Sequence, residues 1–398
     1  MRLLGGIETR RRDQLILFGT RVLRSVGFGF SSVLLAIYLQ SRGLSATQIG
    51  VVVGVALAAA SLTGLAAARL TGRIGRRRTL ALVGLGMAVS GVGLTYLGQP
   101  WLLGLVALTG MLGPSSSDLG PFLAVEQAVL TETSTPAGRN RAFARYSLSG
   151  ALAAAVGGGI ASFGTGVERD QFLYLLYALI GLATAGLPLL LSAGVEGESE
   201  GPVFGSLRPL LGLSALFAID SLGGGLIVRT VIAYWLHVRF GAGPAVLGPA
   251  FAAMSLLGAV AFEAAGWLSD RIGLINTMVF THLPSNLVLI AVPFLPNLTS
   301  ALVLLIVWSA AQGMDIPARQ AYVVSIVKPN QRSSAVAVTG SVRGLAQAFG
   351  PVIAGAAIQT AALGVPFILA GTIKAAYDLL LYRGYRRRFG DHEAPRRR

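Results

Sequence analysis

The chain contains no cysteine among its 398 residues, which excludes disulfides, thiolate metal sites and cysteine nucleophiles. It has only three histidines (His237, His282 and His392), and their scatter along the chain argues against a histidine metal cluster. Charged residues make up 12% of the composition, far too few for the surface of a soluble protein of this length. Hydrophobic residues make up 54%, and the mean hydropathy is +0.69. The composition therefore predicts a membrane protein without a metal site or a cofactor.

Apolar stretches of about 20 residues recur along the whole chain, and each is long enough to span roughly 30 Å of hydrocarbon. These stretches are rich in Ala, Leu and Gly and lack alternating polarity, so we expect helices rather than β-strands. We predict about twelve transmembrane helices. Because Gly and Pro are poor helix formers, breaks are predicted in helices 4, 7 and 10, at Gly113-Pro114, Gly223–Gly225 and Pro317. The glycine run is equally compatible with close approach of another helix.

The formal net charge is +15, and the basic residues fall mainly in short loops and in the tails. The N-terminal tail, the loop at Arg73–Arg78 and the C-terminal tail all lie on one predicted side of the membrane. The positive-inside rule therefore places both termini in the cytoplasm. This distribution favours contact with anionic membrane lipids rather than binding of nucleic acid. We expect a multi-pass protein of the cell membrane.

A short charged turn between two apolar segments occurs twice in the sequence. A shift of 198 positions superimposes five identical residues of the two copies. They are Leu70, Arg73, Ile74, Gly75 and Thr79 in the first copy and Leu268, Arg271, Ile272, Gly273 and Thr277 in the second. A turn that is repeated half a chain apart indicates two similar halves in a membrane.

Both turns resemble the loop between the second and third helices of each half of transporters of the major facilitator superfamily, and in particular prokaryotic permeases. In that family the Asp of the loop lies at the N-terminal end of a helix of the other half and helps to hold the outward-facing state. The second copy keeps this Asp, whereas the first copy has Gly72 in its place and Ala68 in place of the leading Gly. The residues implied for this conformational latch are Gly266, Asp270, Arg271, Gly273, Arg73, Gly75 and Arg76.

The resemblance covers essentially the whole chain and implies an all-α membrane protein with two pseudo-symmetric six-helix bundles around a central cavity. The implied parts are an N-terminal bundle over residues 1–193, a cytoplasmic linker over 194–206, and a C-terminal bundle with a basic tail over 207–398. The resemblance also implies a monomeric secondary transporter rather than an enzyme. Such a protein moves a small-molecule substrate by alternating access, with protons or another ion as the coupling partner.

Ionisable groups at membrane depth are costly and usually face a cavity or a partner. Helices 1, 4, 7 and 10 line the cavity in the family that the chain resembles, which draws attention to the charged residues on them. Each is expected either to bind substrate or a proton, or to form an ion pair, including one between the halves. The substrate-site candidates are Arg24, Asp118, Asp220, Arg229, Asp315, Arg319 and, on helix 11, Arg343. The pair Lys374 and Asp378 on helix 12 is interpreted as structural.

A buried Asp that loses its Arg partner in a conformational change can take up a proton. The candidate proton carriers are, in order, Asp220, Asp118 and Asp315. The arginines favour an anionic or zwitterionic solute, such as a carboxylate or a phosphate ester. Two alternatives remain: a proton-driven exporter of drugs or toxic compounds in the same superfamily, and, more remotely, a membrane-embedded enzyme or sensor.

Overall fold

The computed structural model describes residues 2–115, 120–135, 139–196, 208–325, 327 and 332–385, and every regular element in these ranges is helical. We number the α-helices in chain order and leave single 3-10 turns unnumbered. The helices are α1 (Arg2–Ser41), α2 (Ala46–Ile74), α3 (Arg76–Tyr96), α4 (Pro100–Ala107), α5 (Pro121–Thr133), α6 (Arg139–Ala161), α7 (Val167–Gly186), α8 (Arg208–Gly225), α9 (Arg229–Phe240), α10 (Pro244–Ile272), α11 (Leu274–Ala291), α12 (Leu298–Gln312), α13 (Asp315–Ser325), α14 (Arg332–Gln359) and α15 (Val365–Tyr385).

Eight segments in the described ranges are long and apolar enough to cross a membrane. They are formed by α1, α2, α3, α7, α8 with α9, α10, α11 and α15. The other helices, α4 with α5, α6, α12 with α13, and α14, occupy the places of the remaining four predicted spans. Helices are required because lipid offers no hydrogen-bond partner to the backbone. The predicted all-α membrane protein, with about twelve spans in a first bundle (α1–α7) and a second bundle (α8–α15), is confirmed.

The seventh crossing is interrupted where the glycine run predicts a break. Helix α8 ends at Gly225, and α9 begins at Arg229 after three non-helical residues. The same run also allows close approach, because a Cβ at Gly225 would overlap the carbonyl oxygen of Gln347 in α14. The glycine run therefore both ends the helix and allows close approach of another helix. The tenth crossing is interrupted between α12, which ends at Gln312, and α13, which begins at Asp315. The break predicted at Pro317 is therefore wrong by a few residues: Pro317 lies in the first turn of α13, where a missing backbone N–H is tolerated.

The fourth crossing is interrupted between α4 and α5, and three backbone carbonyls of this segment find partners outside it. Leu112 accepts a hydrogen bond from the Ser31 hydroxyl, and Met111 accepts one from the Tyr177 hydroxyl. Pro114 accepts a hydrogen bond from the backbone N–H of Thr230, at the start of α9. Backbone carbonyl and N–H groups that are not in a helix need hydrogen-bond partners within the protein when they lie at membrane depth. The interrupted crossings of the two bundles thus meet each other.

The two copies of the repeated turn have the same backbone conformation. Gly75 joins α2 to α3 with φ 87° and ψ 163°, and Gly273 joins α10 to α11 with φ 86° and ψ 162°. Residues with a side chain rarely adopt this positive φ, which explains the glycine in each copy.

The two bundles touch along a surface of small residues, which we call the seam. Helix α2 packs on α14 so closely that a Cβ at Gly50 would overlap the carbonyl oxygen of Pro351, and one at Gly54 would lie 2.6 Å from that of Ala348. Helix α6 meets α10 in the same manner, since a Cβ at Gly158 would lie 3.1 Å from the backbone nitrogen of Ala252. Helix α9 completes the seam against α1. Small residues allow helix backbones to approach where lipid provides no hydrophobic driving force.

The seam lies toward the end of the molecule opposite to the chain termini. Asp13 near the start of α1 accepts hydrogen bonds from Ser192, just before the segment that joins the bundles. Tyr385 at the end of α15 lies beside Gly212 near the start of α8. The contact of Ala46 with Gln359, a 2.9 Å hydrogen bond, is a whole helix length away from these groups. The structure is therefore closed at the end remote from the termini.

We expect Gly50→Val to open this closed end, because the added side chain cannot fit against α14. Overpacking of this kind costs about 1–3 kcal/mol, which corresponds to a roughly 5- to 150-fold shift in population. The measurement is the distance distribution between spin labels on Thr47→Cys and Thr360→Cys in lipid nanodiscs. Gly258→Val in α10, where a Cβ meets no atom within 4 Å, is the control. Identical distributions for both variants would contradict the packing described here.

Candidate functional site

The first bundle contains a buried ion pair between its first and fourth crossings. Arg24 donates from Nη1 to Glu126 Oε1 at 3.0 Å and from Nη2 to Oε2 at 2.8 Å, and both side chains are fully buried. Tyr146 and Thr20 donate two further hydrogen bonds to the same carboxylate. The guanidinium also lies 4.0 Å from the centre of the Phe122 ring. This carboxylate is therefore saturated, and the bidentate pair holds α1, α5 and α6 together.

The second bundle contains a larger group of charges around Asp220. Lys374 Nζ donates to Asp220 Oδ1 at 2.6 Å, and Arg319 Nη1 lies 3.4 Å from Asp220 Oδ2. Arg319 Nη1 also donates to Asp315 Oδ2 at 2.6 Å. These four side chains come from α8, α13 and α15 and are nearly completely buried. The three predicted candidates Asp220, Asp315 and Arg319 are thus brought together, as members of one network.

His282 extends this network to α11. Its Nδ1 lies 3.0 Å from Asp378 Oδ1, and its Nε2 faces Asp220 Oδ1 at 3.9 Å. Asn286, one turn further along α11, donates to Asp378 Oδ2 at 2.8 Å. Lys374 and Asp378, interpreted from the sequence as structural, therefore contact Asp220 and His282 respectively. Both belong to the same network as the predicted carriers.

Sequence reasoning did not single out His282 or Asn286. A polar pair four residues apart in an otherwise apolar helix was the available signal, because i and i+4 share a helix face. Glu126 and Tyr146 were also absent from the candidate set. Their role depends on which face of each helix meets α1, and one sequence does not show that rotation.

Arg229 lies at the seam and has only neutral partners among the described residues. Its Nη1 donates to the Ser255 hydroxyl at 2.7 Å and lies 3.3 Å from the Phe251 carbonyl oxygen. The next residue, Thr230, donates its hydroxyl to the carbonyl oxygens of Ser32 and Pro114 in the first bundle. A guanidinium at the start of α9 is therefore held where the two bundles meet.

Arg343 on α14, like Arg229, lies next to a residue that contacts the first bundle. Its Nε donates to the Ser221 hydroxyl at 3.1 Å, beside Asp220. The next residue, Gly344, packs against Ser61 of α2 so closely that a Cβ would overlap the serine hydroxyl. Arg343 thus stands between the charge network of the second bundle and the seam.

The remaining candidate, Asp118, lies outside the described residues, so its predicted role stays a prediction. Each ion pair in the described part of the chain joins residues of one bundle. Arg24 and Asp220, considered for a pair between the halves, both have their partners within their own bundle. No group of three or more metal-ligating side chains is found in the described ranges.

In the first copy of the predicted latch, the N-terminus of α3 binds the carboxylate of Glu196, a residue that follows the last helix of the first bundle in sequence. Glu196 accepts the backbone N–H groups of Arg76 and Arg77, at the N-terminus of α3. The Arg76 side chain is buried, bonds to Glu132 and donates to the Val195 carbonyl oxygen. A carboxylate at a helix N-terminus is stabilised by the helix dipole. Glu196 therefore provides the negative charge that Gly72 does not carry.

The second copy of the latch is exposed. Gly266, Asp270 and Arg271 are all exposed, and the Arg271 guanidinium lies 3.9 Å from the centre of the Trp267 ring. Arg73 of the first copy is exposed as well. A latch that holds the opposite state is expected to be disengaged when the bundles are closed at the end remote from the termini. Its role stays a prediction.

We expect Glu126→Gln to destabilise the protein strongly, because it leaves the buried Arg24 without a counter-charge. Removing one partner of a buried pair costs about 3–5 kcal/mol. Thermal unfolding in detergent should show that the double variant with Arg24→Gln is more stable than Glu126→Gln alone. Glu132→Gln is the control, because its carboxylate is 41% exposed and its pair with Arg76 should contribute less than about 1 kcal/mol. Additive losses in the double variant would contradict the pairing.

Several solved structures share this architecture. A D-xylose-proton symporter is 14% identical with a TM-score of 0.75, and the match covers 93% of this chain and 97% of the symporter. A mutant of the nucleoside transporter NupG is 16% identical with a TM-score of 0.74, covering 93% of this chain and 99% of its own. A human organic anion transporter is 17% identical with a TM-score of 0.66, covering 94% and 99%. At these identities the likeness shows the fold alone.

Comparisons at the level of sequence show the family to which the chain belongs. An uncharacterized membrane protein of Saccharomyces cerevisiae is 22% identical over 417 aligned residues, which cover 93% of each chain. The family model of the Major Facilitator Superfamily matches residues 17–314 and 213–398, which together include almost the whole sequence. The chain therefore belongs to the major facilitator superfamily, a family of membrane transporters that are generally not enzymes.

Proposed function

We propose that the protein is a secondary active transporter that moves a small anionic organic solute across the cell membrane by alternating access, coupled to protons. The observation that carries the proposal is the position of Arg229 and Arg343. Both guanidinium groups lie beside residues that contact the other bundle, and both have neutral partners among the described residues. A solute at that place meets groups from both bundles, which is the requirement for alternating access.

The two arginines favour negative charge on the solute. A guanidinium at membrane depth is costly without a counter-charge, and the hydroxyl and carbonyl partners of Arg229 compensate that cost only in part. Arg343 lies beside the Asp220 network, but its own hydrogen bond goes to the neutral Ser221 hydroxyl. Arginine also binds planar carboxylates and phosphates with two parallel hydrogen bonds. A carboxylate or phosphate ester is therefore the solute class that the seam fits best. The similar structures are transporters of an organic anion, of D-xylose and of nucleosides, so all three kinds of solute are among the probes to be tested.

Proton coupling is supported by the network around Asp220. Its carboxylate is held by Lys374 and Arg319, which belong to other helices of the same bundle. A change in helix packing that separates the carboxylate from these cations leaves a buried charge, which a proton neutralises. Asp220 and Asp315 are the candidate carriers among the described residues, and Asp118 remains a candidate from the sequence.

The orientation follows from the charge of the loops. With both termini in the cytoplasm, the closed end of the seam faces outward and the described state opens to the cytoplasm. The exposed arginines of the turn at Arg73 then face anionic lipid headgroups. The boundaries at residues 193 and 206 and the monomeric state belong to the same proposal.

The first experiment is a thermal-shift panel in detergent with lactate, citrate, glycerol 3-phosphate, xylose, uridine and ethidium. We expect stabilisation by one or more of the three anions, and radiolabelled uptake of the same probe into proteoliposomes with an alkaline interior. Stabilisation by ethidium alone, with extrusion against a proton gradient, would instead indicate the exporter of toxic compounds. Conversion of a probe into a new chemical species would indicate an enzyme, and passive flux without saturation a channel.

We expect Arg343→Gln and Arg229→Gln to weaken anion binding, because each removes a charged hydrogen-bond donor at the seam. The loss should be about 1.5–3 kcal/mol, or roughly 10- to 150-fold in Kd, as measured by isothermal titration with the stabilising anion. Arg239→Gln is the matched control, because that guanidinium stacks on the Trp235 and Phe240 rings at the end of α9. Equal losses in all three variants would indicate a general effect of charge and would contradict the assignment.

A further inference from the structure

His282 is held in one tautomer by its neighbours. An ionised carboxylate only accepts hydrogen bonds, so the 3.0 Å contact with Asp378 Oδ1 places the hydrogen on His282 Nδ1. Asn286 Nδ2 donates to the other oxygen of Asp378 at 2.8 Å and fixes the orientation of that carboxylate. Asn286 Nδ2 also lies 3.4 Å from His282 Nδ1, a longer contact than the 3.0 Å one between Nδ1 and Asp378, which therefore decides the tautomer. In the neutral imidazole, Nε2 is then left with its lone pair, and this lone pair points toward Asp220 Oδ1 at 3.9 Å. Nε2 is therefore the atom that is free to accept a proton.

Protonation of His282 Nε2 makes its contact with Asp220 Oδ1 more favourable. Two electron-rich atoms face each other when His282 is neutral, whereas an N–H faces a carboxylate after protonation. The Lys374 ammonium group, 2.6 Å from the same oxygen, opposes the extra charge. The neutral Tyr377 ring packs edge-on against the imidazole with 6.3 Å between centroids. The groups that face His282 from α8 and α15 thus include one carboxylate on each side and one cation.

The charges around His282 balance when the imidazole is neutral. The described network contains three carboxylates and three permanent cations, so its formal charge is zero. The carboxylates are Asp220, Asp315 and Asp378, and the cations are Arg319, Arg343 and Lys374. A proton on His282 raises the network to a formal charge of +1. A net charge buried at membrane depth is costly, so the proton is accommodated best together with one negative charge.

Arg343 connects this excess charge to the seam. It reaches the network through Ser221, beside Asp220, and its neighbour Gly344 contacts the first bundle. An anion bound by Arg343 therefore lies where it can balance the protonated network. We propose that His282 Nε2 is the proton-binding atom and that the network takes up one proton with each negative charge on the solute. This inference rests on the proposed function and replaces Asp220 as the carrier by a residue beside it.

The proton site can be tested without any solute. We expect ¹⁵N-histidine NMR in lipid nanodiscs to show one imidazole that keeps its Nδ1 hydrogen and gains a proton on Nε2 as the pH is lowered across the range in which the protein stays folded. His282→Gln identifies the signal by removing it, and Asp378→Asn should mix its tautomers. An Nε2 that carries hydrogen throughout this range, or a proton gained on Nδ1, would overturn the proposal.

The coupling is tested with the anion that the transport panel identifies among lactate, citrate and glycerol 3-phosphate. A symporter of one proton per negative charge is electroneutral and accumulates a monovalent anion about 10-fold for each unit of pH gradient, which is about 1.4 kcal/mol. His282→Gln should retain exchange of labelled for unlabelled anion but lose accumulation. His237→Gln should keep both, because the native His237 contacts the Ala242 carbonyl oxygen at the end of α9, away from the network.

The outcomes separate the two proposals. Accumulation by His282→Gln at the wild-type level, or a dependence of accumulation on membrane potential, would overturn the coupling role of His282 while the transporter assignment stands. Absence of transport for all three anions would contradict the proposed function. In that case the NMR titration still decides whether His282 Nε2 binds the proton.

Discussion

The structure depends on the cost of charge at membrane depth. The buried ion pairs of the described residues lie within single bundles: Arg24 with Glu126 in the first, and the network around Asp220 in the second. Arg229, at the seam, has neutral partners instead. The surface between the bundles is left to small residues such as Gly50, whose backbones nearly touch their neighbours. Among the described residues, separating the bundles therefore breaks close packing and a few neutral hydrogen bonds but no buried ion pair. Such an interface can open and close at modest cost, which is what alternating access requires.

The interrupted helices connect this interface to the charges. In the non-helical segment of the fourth crossing, the Pro114 carbonyl oxygen accepts a hydrogen bond from the hydroxyl of Thr230, which lies immediately after the break in the seventh crossing. Arg229 adjoins that contact from one side, and Arg343 adjoins the packing of α14 on α2. A solute that binds these arginines is in contact with both the interface and the Asp220 network. The groups proposed for ligand binding, for opening of the bundles and for proton uptake therefore lie within one region of the molecule.

The sequence predicts most of the fold, because span length, glycine runs and a repeated turn are local signals. It locates the break after Gly225, the paired turns at Gly75 and Gly273, and the charged residues on the interrupted crossings. Partnerships across helices were not predictable in the same way. The spacing of Lys374 and Asp378 suggests a structural pair on one helix, yet one contacts Asp220 and the other His282. Helix rotation decides such contacts, and a single sequence contains no direct record of it.

The central claim is that solute passes only when the closed end of the seam opens. The most direct measurement is anion exchange in proteoliposomes with Ala46→Cys and Gln359→Cys joined by a short reducible crosslinker. These positions face each other across the seam, and the native chain has no cysteine to interfere. Alternating access predicts that exchange stops when the crosslink forms and returns when it is reduced. Continued flux through the crosslinked protein would contradict the account.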